Sequence, residues 1–318
     1  MKKKKYNYRQ KRRASTLLAL GLSEYEAAEV LIKNNLFREA VVHIYFCSFY
    51  LTQALLCDKL PTNPSHKNVE RVLHRAYGRS KYFPRRYVEF HSYVHNLRNT
   101  HNYKSFHVPS PRMVKRKINV LKNYVDFCLK VVPRIEIWEI LEDFSKNNAD
   151  KIKDFSFDIY CPKTYAHHTR LTFWCPPFYL NIFTARQLAK HSKIMLKGLK
   201  VNKYRNYVLG INSRINQYSP LHLIMVDIDS VNFEIESAFK KIGGILIKTG
   251  RGFHFIGDNL VYGQENWEKE MKKLQHDRVL KKYIDQEHIE ISLRRQYATL
   301  RITESPAKPT LPFFYKQL

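Results

Sequence analysis

Near Pro133 the hydrophobic pattern of the chain changes period. Before it, apolar residues recur at intervals of three and four: Tyr25, Ala28, Leu31 and Ile32, then Phe37, Val41, Ile44, Tyr45, Phe49 and Leu55. That spacing puts one apolar stripe on each of a series of helices. After it the prominent apolar runs are short and β-branched, as in Leu223–Val226 and Ile245–Ile247, which suits buried strands. The change predicts an α+β chain of two domains, an all-α helical bundle followed by an α/β domain. A length of 318 residues agrees, at roughly 150 residues per domain.

Within the bundle, Ser23 reads as an N-cap with Glu26 three residues on. Further helices are expected at Lys67–Tyr77, Pro84–Asn102 and Arg112–Val132, separated by the proline-bearing stretches Pro61–Pro64 and Pro109–Pro111. The predicted boundaries are a basic arm at 1–20, the bundle at 21–135, a linker at 136–155 and the second domain at 156–318. Eight of the first 13 residues are Lys or Arg, so the arm reads as solvated and free to touch phosphates. The apolar stretch Ala40–Leu56 is interrupted by His43, Ser48, Thr52 and Gln53 and is too short to span a membrane. It reads as a buried helix, and no membrane partner is expected.

Charge narrows the class of partner. Against 28 acidic residues stand 55 Lys and Arg, a formal net charge of +27, so nucleic acid is the first expectation and nucleoside triphosphates the second. A hydrophobic fraction of 44% excludes a disordered chain. The five cysteines form no Cys-x-x-Cys pair, which argues against a disulfide framework and for a reducing, intracellular, cytoplasmic setting. Cys161, His167, His168 and Cys175 are spaced too widely for the paired ligands of tetrahedral zinc, and no zinc is expected.

The chemistry concentrates in the second half. Residues 161–226 contain no Asp or Glu but ten Lys or Arg, and Lys193, Lys197, Lys200, Lys203 and Arg205 form a basic stripe with Tyr204 and Tyr207 interleaved. Such a stripe suits a single-stranded template or primer-template backbone, the alternative being a solvated helix face. The acid-free stretch ends at Leu223-Ile224-Met225-Val226-Asp227-Ile228-Asp229. Alternation along a strand puts Asp227 and Asp229 on one face, where two carboxylates suit Mg²⁺ or Mn²⁺; the pair equally suits the cap of the helix expected at Phe233–Lys241. Lys248-Thr249-Gly250-Arg251-Gly252-Phe253-His254 then reads as a glycine-rich turn between two strands. Its backbone N–H groups, with Lys248, Arg251 and His254, can meet a phosphate. Ile284-Asp285 adds a third carboxylate, with Glu287 and Glu290 as rivals and Arg294, Arg295 and Arg301 nearby.

Two resemblances follow from these residues. Glu26–Leu31, Leu36–Val41, Tyr45, Phe49, Ala54–Leu56, Ser65-His66-Lys67 and Leu97-Arg98-Asn99 resemble HEPN domains over roughly Gly21–Val132. That resemblance implies a bundle able to form a homodimer. It also implies a possible metal-independent RNase site at Arg98, with His101 and Tyr103 beside it. The family's Arg and His lie four to six residues apart, whereas His101 and His107 follow Arg98 at three and nine; Arg86 and His91 show a suitable gap. The ordered set Asp227-x-Asp229, Gly252-Phe253-His254 and Ile284-Asp285 resembles the three motifs of the archaeo-eukaryotic primase superfamily over about 150–318. It implies an RRM-like sheet and a two-metal site of Asp227, Asp229 and Asp285. It further implies a nucleotide contact by His254 and a phosphate contact by Arg295, beside the phosphate candidates Gly250, Gly252 and Arg301 that the residues themselves suggest. The function expected is metal-dependent nucleotidyl transfer of primase-polymerase type. The alternatives are an inactive nucleic-acid-binding protein with a HEPN assembly domain, or a HEPN RNase whose primase-like half senses nucleotides.

Overall fold

The computed structural model describes residues 6–80, 83–103, 109–160, 170–180, 208–219, 221–230, 234–250, 252–304 and 310–318, with backbone only at 101–103. The chain divides into two compact units, Met1–Arg134 and Ile135–Leu318.

The first unit holds five helices: α1 (Tyr8–Lys33), α2 (Phe37–Leu55), α3 (His66–Tyr77), α4 (Arg85–Tyr103) and α5 (Pro111–Val131). No strand occurs among its described residues. Helix α2 is the core element, and Ala40, Ile44, Cys47, Leu51 and Ala54 along it are wholly buried. Gly21 lets α1 approach it, since a Cβ there would lie 3.0 Å from Leu51. Ser65 and Ser110 cap α3 and α5 through bonds from Asn68 N and Met113 N, as short hydroxyl side chains do at helix starts.

The amino-terminal expectation needs correction. Helix α1 begins at Tyr8, not Ser23, and is started by a capping box in which Asn7 and Gln10 bond each other's backbone N–H at 2.8 and 3.1 Å. Ser23 lies buried in mid-helix. The span read as a free arm is helical from Tyr8, buries Ala14, Leu18 and Ala19, and anchors Arg13 on the carbonyls of Leu60 at 2.7 Å and of Pro61.

In the second unit, α6 (Ile137–Asn147) precedes a sheet of eight strands: β1 (Phe155–Tyr160), β2 (Leu171–Cys175), β3 (Val208–Ile215), β4 (Leu221–Ile228), β5 (Gly244–Lys248), β6 (Phe253–Tyr262), β7 (Thr299–Arg301) and β8 (Phe313–Gln317). Helices α7 (Glu234–Phe239), α8 (Gln264–His276) and α9 (Gln286–Arg295) are inserted between strands. The stretch 136–155 is therefore no linker, because α6 buries Ile137, Trp138, Ile140 and Leu141. All strand pairs are antiparallel, in the order β2-β1-β3-β4-β6-β5-β8.

One irregularity shapes the sheet. Strands β3 and β4 pair only at Arg214↔His222 and Ile215↔Leu221; farther along, β3 takes β7 as its partner at Gly210, Ile211 and Asn212. The carboxyl end of β4 is thus held by β6 and by a single bridge from Ile228 to Ile284. Helices α7 and α8 pack on the face bearing Val226 and Phe255, with the Phe239 ring tilted against Phe255 at 4.7 Å between centres and Trp267 Nε1 bonded to Leu223 O at 3.1 Å. No described helix is long and apolar enough to cross a membrane.

Candidate functional site

Asp227 lies one residue from the end of β4 and directly opposite His254 on β6. Cross-strand partners share a face, and His254 Nε2 approaches Asp227 Oδ1 to 3.6 Å. The imidazole is buried, its side chain 3% exposed, while the carboxylate is 18% exposed. Gly252 permits this pairing: a Cβ there would fall 2.2 Å from Ile228 O. The Thr249–Gly252 turn closes through Thr249 N on Gly252 O at 3.1 Å, with Gly250 at φ +107°.

The segment 283–285 runs beside the end of β4. Asp285 N donates to Asp227 O at 3.0 Å and Asp229 N donates to Tyr283 O at 3.2 Å, so the three acidic positions adjoin along the backbone. Their side chains do not form the expected three-carboxylate centre. Asp285 Oδ1 accepts from His288 N at 3.1 Å and caps α9, a role imposed by the orphan N–H groups of a helix starting one residue later. Among the described residues no three His, Cys, Asp or Glu side chains converge as a metal-binding group. The pair Asp227 and Asp229 remains a hard-oxygen donor set. It fits a Mg²⁺-type ion, which takes one or two carboxylates and completes its shell with water and phosphate.

The phosphate candidates separate. Lys248 is fully buried on the opposite face, its ammonium 4.5 Å from the Phe253 ring centre, away from Asp227 and His254. Arg301, on β7, does reach the turn, donating from Nη2 to Thr249 O at 3.2 Å. Burial lowers its pKa, while Tyr160, Asp227 and Glu304 act to raise it. Its Nε and the hydroxyl of Thr249 are buried without a hydrogen-bond partner, and two orphaned donors beside a glycine turn fit an anion. Arg295 closes α9 with its pKa lowered by burial and by Arg170. Arg251, the stripe Lys193, Lys197, Lys200, Lys203 and Arg205, and Cys161, His167 and His168 lie outside the described residues, whereas Cys175 is a buried free thiol on β2.

A network absent from the expectations centres on Asp158 of β1. Wholly buried, its carboxylate accepts from Arg170 Nη1 (2.7 Å), Thr172 Oγ1 (2.7 Å), Asn212 Nδ2 (2.8 Å) and Tyr297 OH (3.1 Å). Arg170 also lies 4.3 Å over the Tyr160 ring. Burial pushes the Tyr160 phenol up to about 12; Arg170 and Arg301 oppose the rise and Asp227 and Asp158 add to it. Tyr160 thus feels both the network and the β4 end. The sequence signal was a lone Asp in the apolar strand Phe-Ser-Phe-Asp-Ile-Tyr.

The first unit holds its own polar constellation. Arg98 lies over the rings of Tyr45 and Phe46 at 5.4 and 5.6 Å, and Tyr45 is hydrogen-bonded to His66 Nδ1. His66 and His95 stack with centres 6.1 Å apart, and His95 Nδ1 meets Glu70 Oε2 at 3.2 Å. Burial, then Arg98 and His95, lower the His66 pKa. The side chains of His101 and Tyr103 lie outside the described residues. Of the alternative pair, His91 is buried on Ser48 at 2.9 Å, while Arg86 stacks on Tyr87. His66 reaches this group from α3, whereas Arg98 and His95 lie on α4.

The family profile described as the HEPN domain matches residues 14–132, so the five-helix unit is similar to HEPN domains. No curated protein and no solved structure matches the chain.

Proposed function

We propose that the unit Ile135–Leu318 is a metal-dependent nucleotidyltransferase of primase-polymerase type, joining nucleoside triphosphates to a strand on a nucleic-acid template. The observation that carries this reading is the meeting of three separated motifs: Asp227 faces His254 across β4 and β6, and Asp285 N–H binds Asp227 O. Asp227 and Asp229 would hold Mg²⁺ or Mn²⁺. When bound, such an ion activates the attacking 3′-hydroxyl and offsets the charge of the departing pyrophosphate. The chain's own part is placement. His254, fixed by burial beside Asp227, presents an imidazole to the incoming nucleotide. The Thr249–Gly252 turn with Arg301 supplies donors to phosphate oxygens.

The test is incorporation of labelled ATP and dATP on a single-stranded template with Mg²⁺ or Mn²⁺, with and without primer. The Asp227→Ala, Asp229→Ala double variant is expected to lose incorporation while keeping its fold. Incorporation unchanged by that substitution sinks the reading. Template binding without any incorporation favours an inactive nucleic-acid-binding protein.

A second reading is favoured by the first unit's constellation and its HEPN similarity. Two imidazoles beside a guanidinium suit metal-independent cleavage of RNA: a neutral His66 takes the 2′-hydroxyl proton, His95 held by Glu70 returns one, and Arg98 stabilises the charged phosphate. Cleavage in EDTA that survives both Arg98→Ala and His66→Ala rejects it.

A further inference from the structure

The two most exposed large hydrophobic side chains of the second unit's sheet lie at the end opposite the carboxylates. Tyr218, 94% exposed, sits in the β3–β4 turn, and Tyr262, 67% exposed, ends β6 in register with Leu221, the first residue of β4. Beside Tyr262 opens a groove of about 600 Å³ between β6 and one face of α8, lined by Asn259, Asn266, Lys269 and Lys273. Its floor is a β-bulge. Ile224 alone on β4 opposes Gly257, Asp258 and Asn259, because the register runs Leu223↔Leu260 and then Met225↔Ile256. Such a bulge lifts the backbone out of the regular ladder and re-aims the side chains it carries.

The groove's chemistry is specific in kind. Asn266 commits its amide N–H to Tyr262 O at 2.9 Å, which leaves its carbonyl oxygen for a base edge. Lys269 and Lys273 stand one turn apart on α8. Glu270 bonds Lys273 at 2.5 Å through an exposed pair, leaving the lining with one more cation than anion. Arg214, exposed on β3 one residue before its end, adds a cation at the same sheet end as Tyr218. Exposed aromatic faces beside spaced cations are how proteins hold single strands without reading sequence, and a chain of net charge +27 favours a polyanion over a neutral ligand.

We propose that this groove, with Tyr262 as stacking platform and Lys269 and Lys273 as phosphate contacts, binds a segment of single-stranded nucleic acid. The site lies at the far end of β4 from Asp227 and on the opposite face, so it is separate from the nucleotidyl-transfer reading and stands or falls without it. Strand binding here holds nucleic acid on the unit whether or not chemistry occurs at Asp227.

The test is fluorescence anisotropy of the full chain with a labelled single-stranded oligonucleotide and its duplex, titrated across salt concentrations. Tyr262→Ala is expected to weaken single-strand binding about five- to hundredfold with little change in salt slope, and Tyr262→Phe to restore it. The Lys269→Ala, Lys273→Ala double variant is expected to reduce the slope of log affinity against log salt by about 1.4. All are surface substitutions, and an unchanged melting profile verifies the fold. Single-strand affinity and slope unaltered in both variants overturns the proposal. So does an equal loss for duplex and single strand, or a Tyr262-dependent binding of free ATP that displaces the oligonucleotide.

Discussion

Two glycines of one turn make different demands, and substitution separates them. At Gly252 the obstacle is a backbone carbonyl, Ile228 O, 2.2 Å from any added Cβ, and a backbone atom held in a strand cannot step aside. Gly252→Ala is expected to destabilise the second unit by about 2–4 kcal/mol. At Gly250 nothing lies within 4 Å and only φ +107° is unfavourable, so Gly250→Ala should cost about 1 kcal/mol; chemical denaturation of both variants checks the order. Histidines offer a second residue-scale prediction. Burial lowers His91 and His222 each to about 4, below the ordinary value of about 6.5. Unfolding therefore takes up protons between those values, so the stability they confer is present above pH ~6.5 and lost as pH falls towards 4. The upper bound is about 3 kcal/mol each. Melting temperature against pH should fall through that window, and His91→Gln should flatten the first unit's share. At this scale the sequence made Asp227 and His254 legible, since period-two alternation and a Gly-x-His step are local signals. Asp158 was illegible as a hub: its partners Arg170, Asn212 and Tyr297 lie 12, 54 and 139 residues away.

Among elements, α1 shows how charge misleads. A run of lysines and arginines reads as a solvated arm, yet Asn7 starts a helix and Arg13 turns inward to the carbonyls after α2. Those carbonyls follow a helix end, where intrahelical donors have run out, so a guanidinium serves several at once. Arg13→Ala is expected to cost the first unit about 1–3 kcal/mol, whereas Arg9→Ala, exposed at the start of the same helix, serves as the matched loss of charge. Differential scanning calorimetry distinguishes them, and equal effects would reduce Arg13 to a surface charge. Helix α6 failed to register in the sequence for the converse reason. Eleven residues beginning at Ile137 offer too few turns to separate a short amphipathic helix from an apolar linker. The paired strands β5 and β6 were readable because glycines mark their turn and apolar residues, Ile245 to Ile247 before it and Phe253, Phe255 and Ile256 after it, flank it.

Across the whole molecule, two units carry two candidate centres of different chemistry, and the readings make opposite demands on metal. Nucleotidyl transfer at Asp227 and Asp229 needs a divalent ion; phosphodiester cleavage at His66, His95 and Arg98 needs a neutral imidazole as acceptor, cationic nitrogen donors, and no metal. Each centre draws every residue from one unit, since Asp227, His254 and Asp285 all lie beyond Ile135 and Tyr45, His66, Glu70, His95 and Arg98 all precede Arg134. Substitutions should therefore dissociate. Asp227→Asn with Asp229→Asn is expected to lower incorporation by at least about a hundredfold and to leave RNA cleavage in EDTA at its original rate. Arg98→Ala is expected to lower that cleavage by about 10²–10³-fold, the usual cost of removing one transition-state charge partner, with incorporation retained. Gel assays of both activities on the same three preparations read all four values. If Arg98→Ala also ends incorporation while the fold survives, the assignment of one chemistry to each unit is overturned, and the helical unit must instead supply something the sheet's reaction requires.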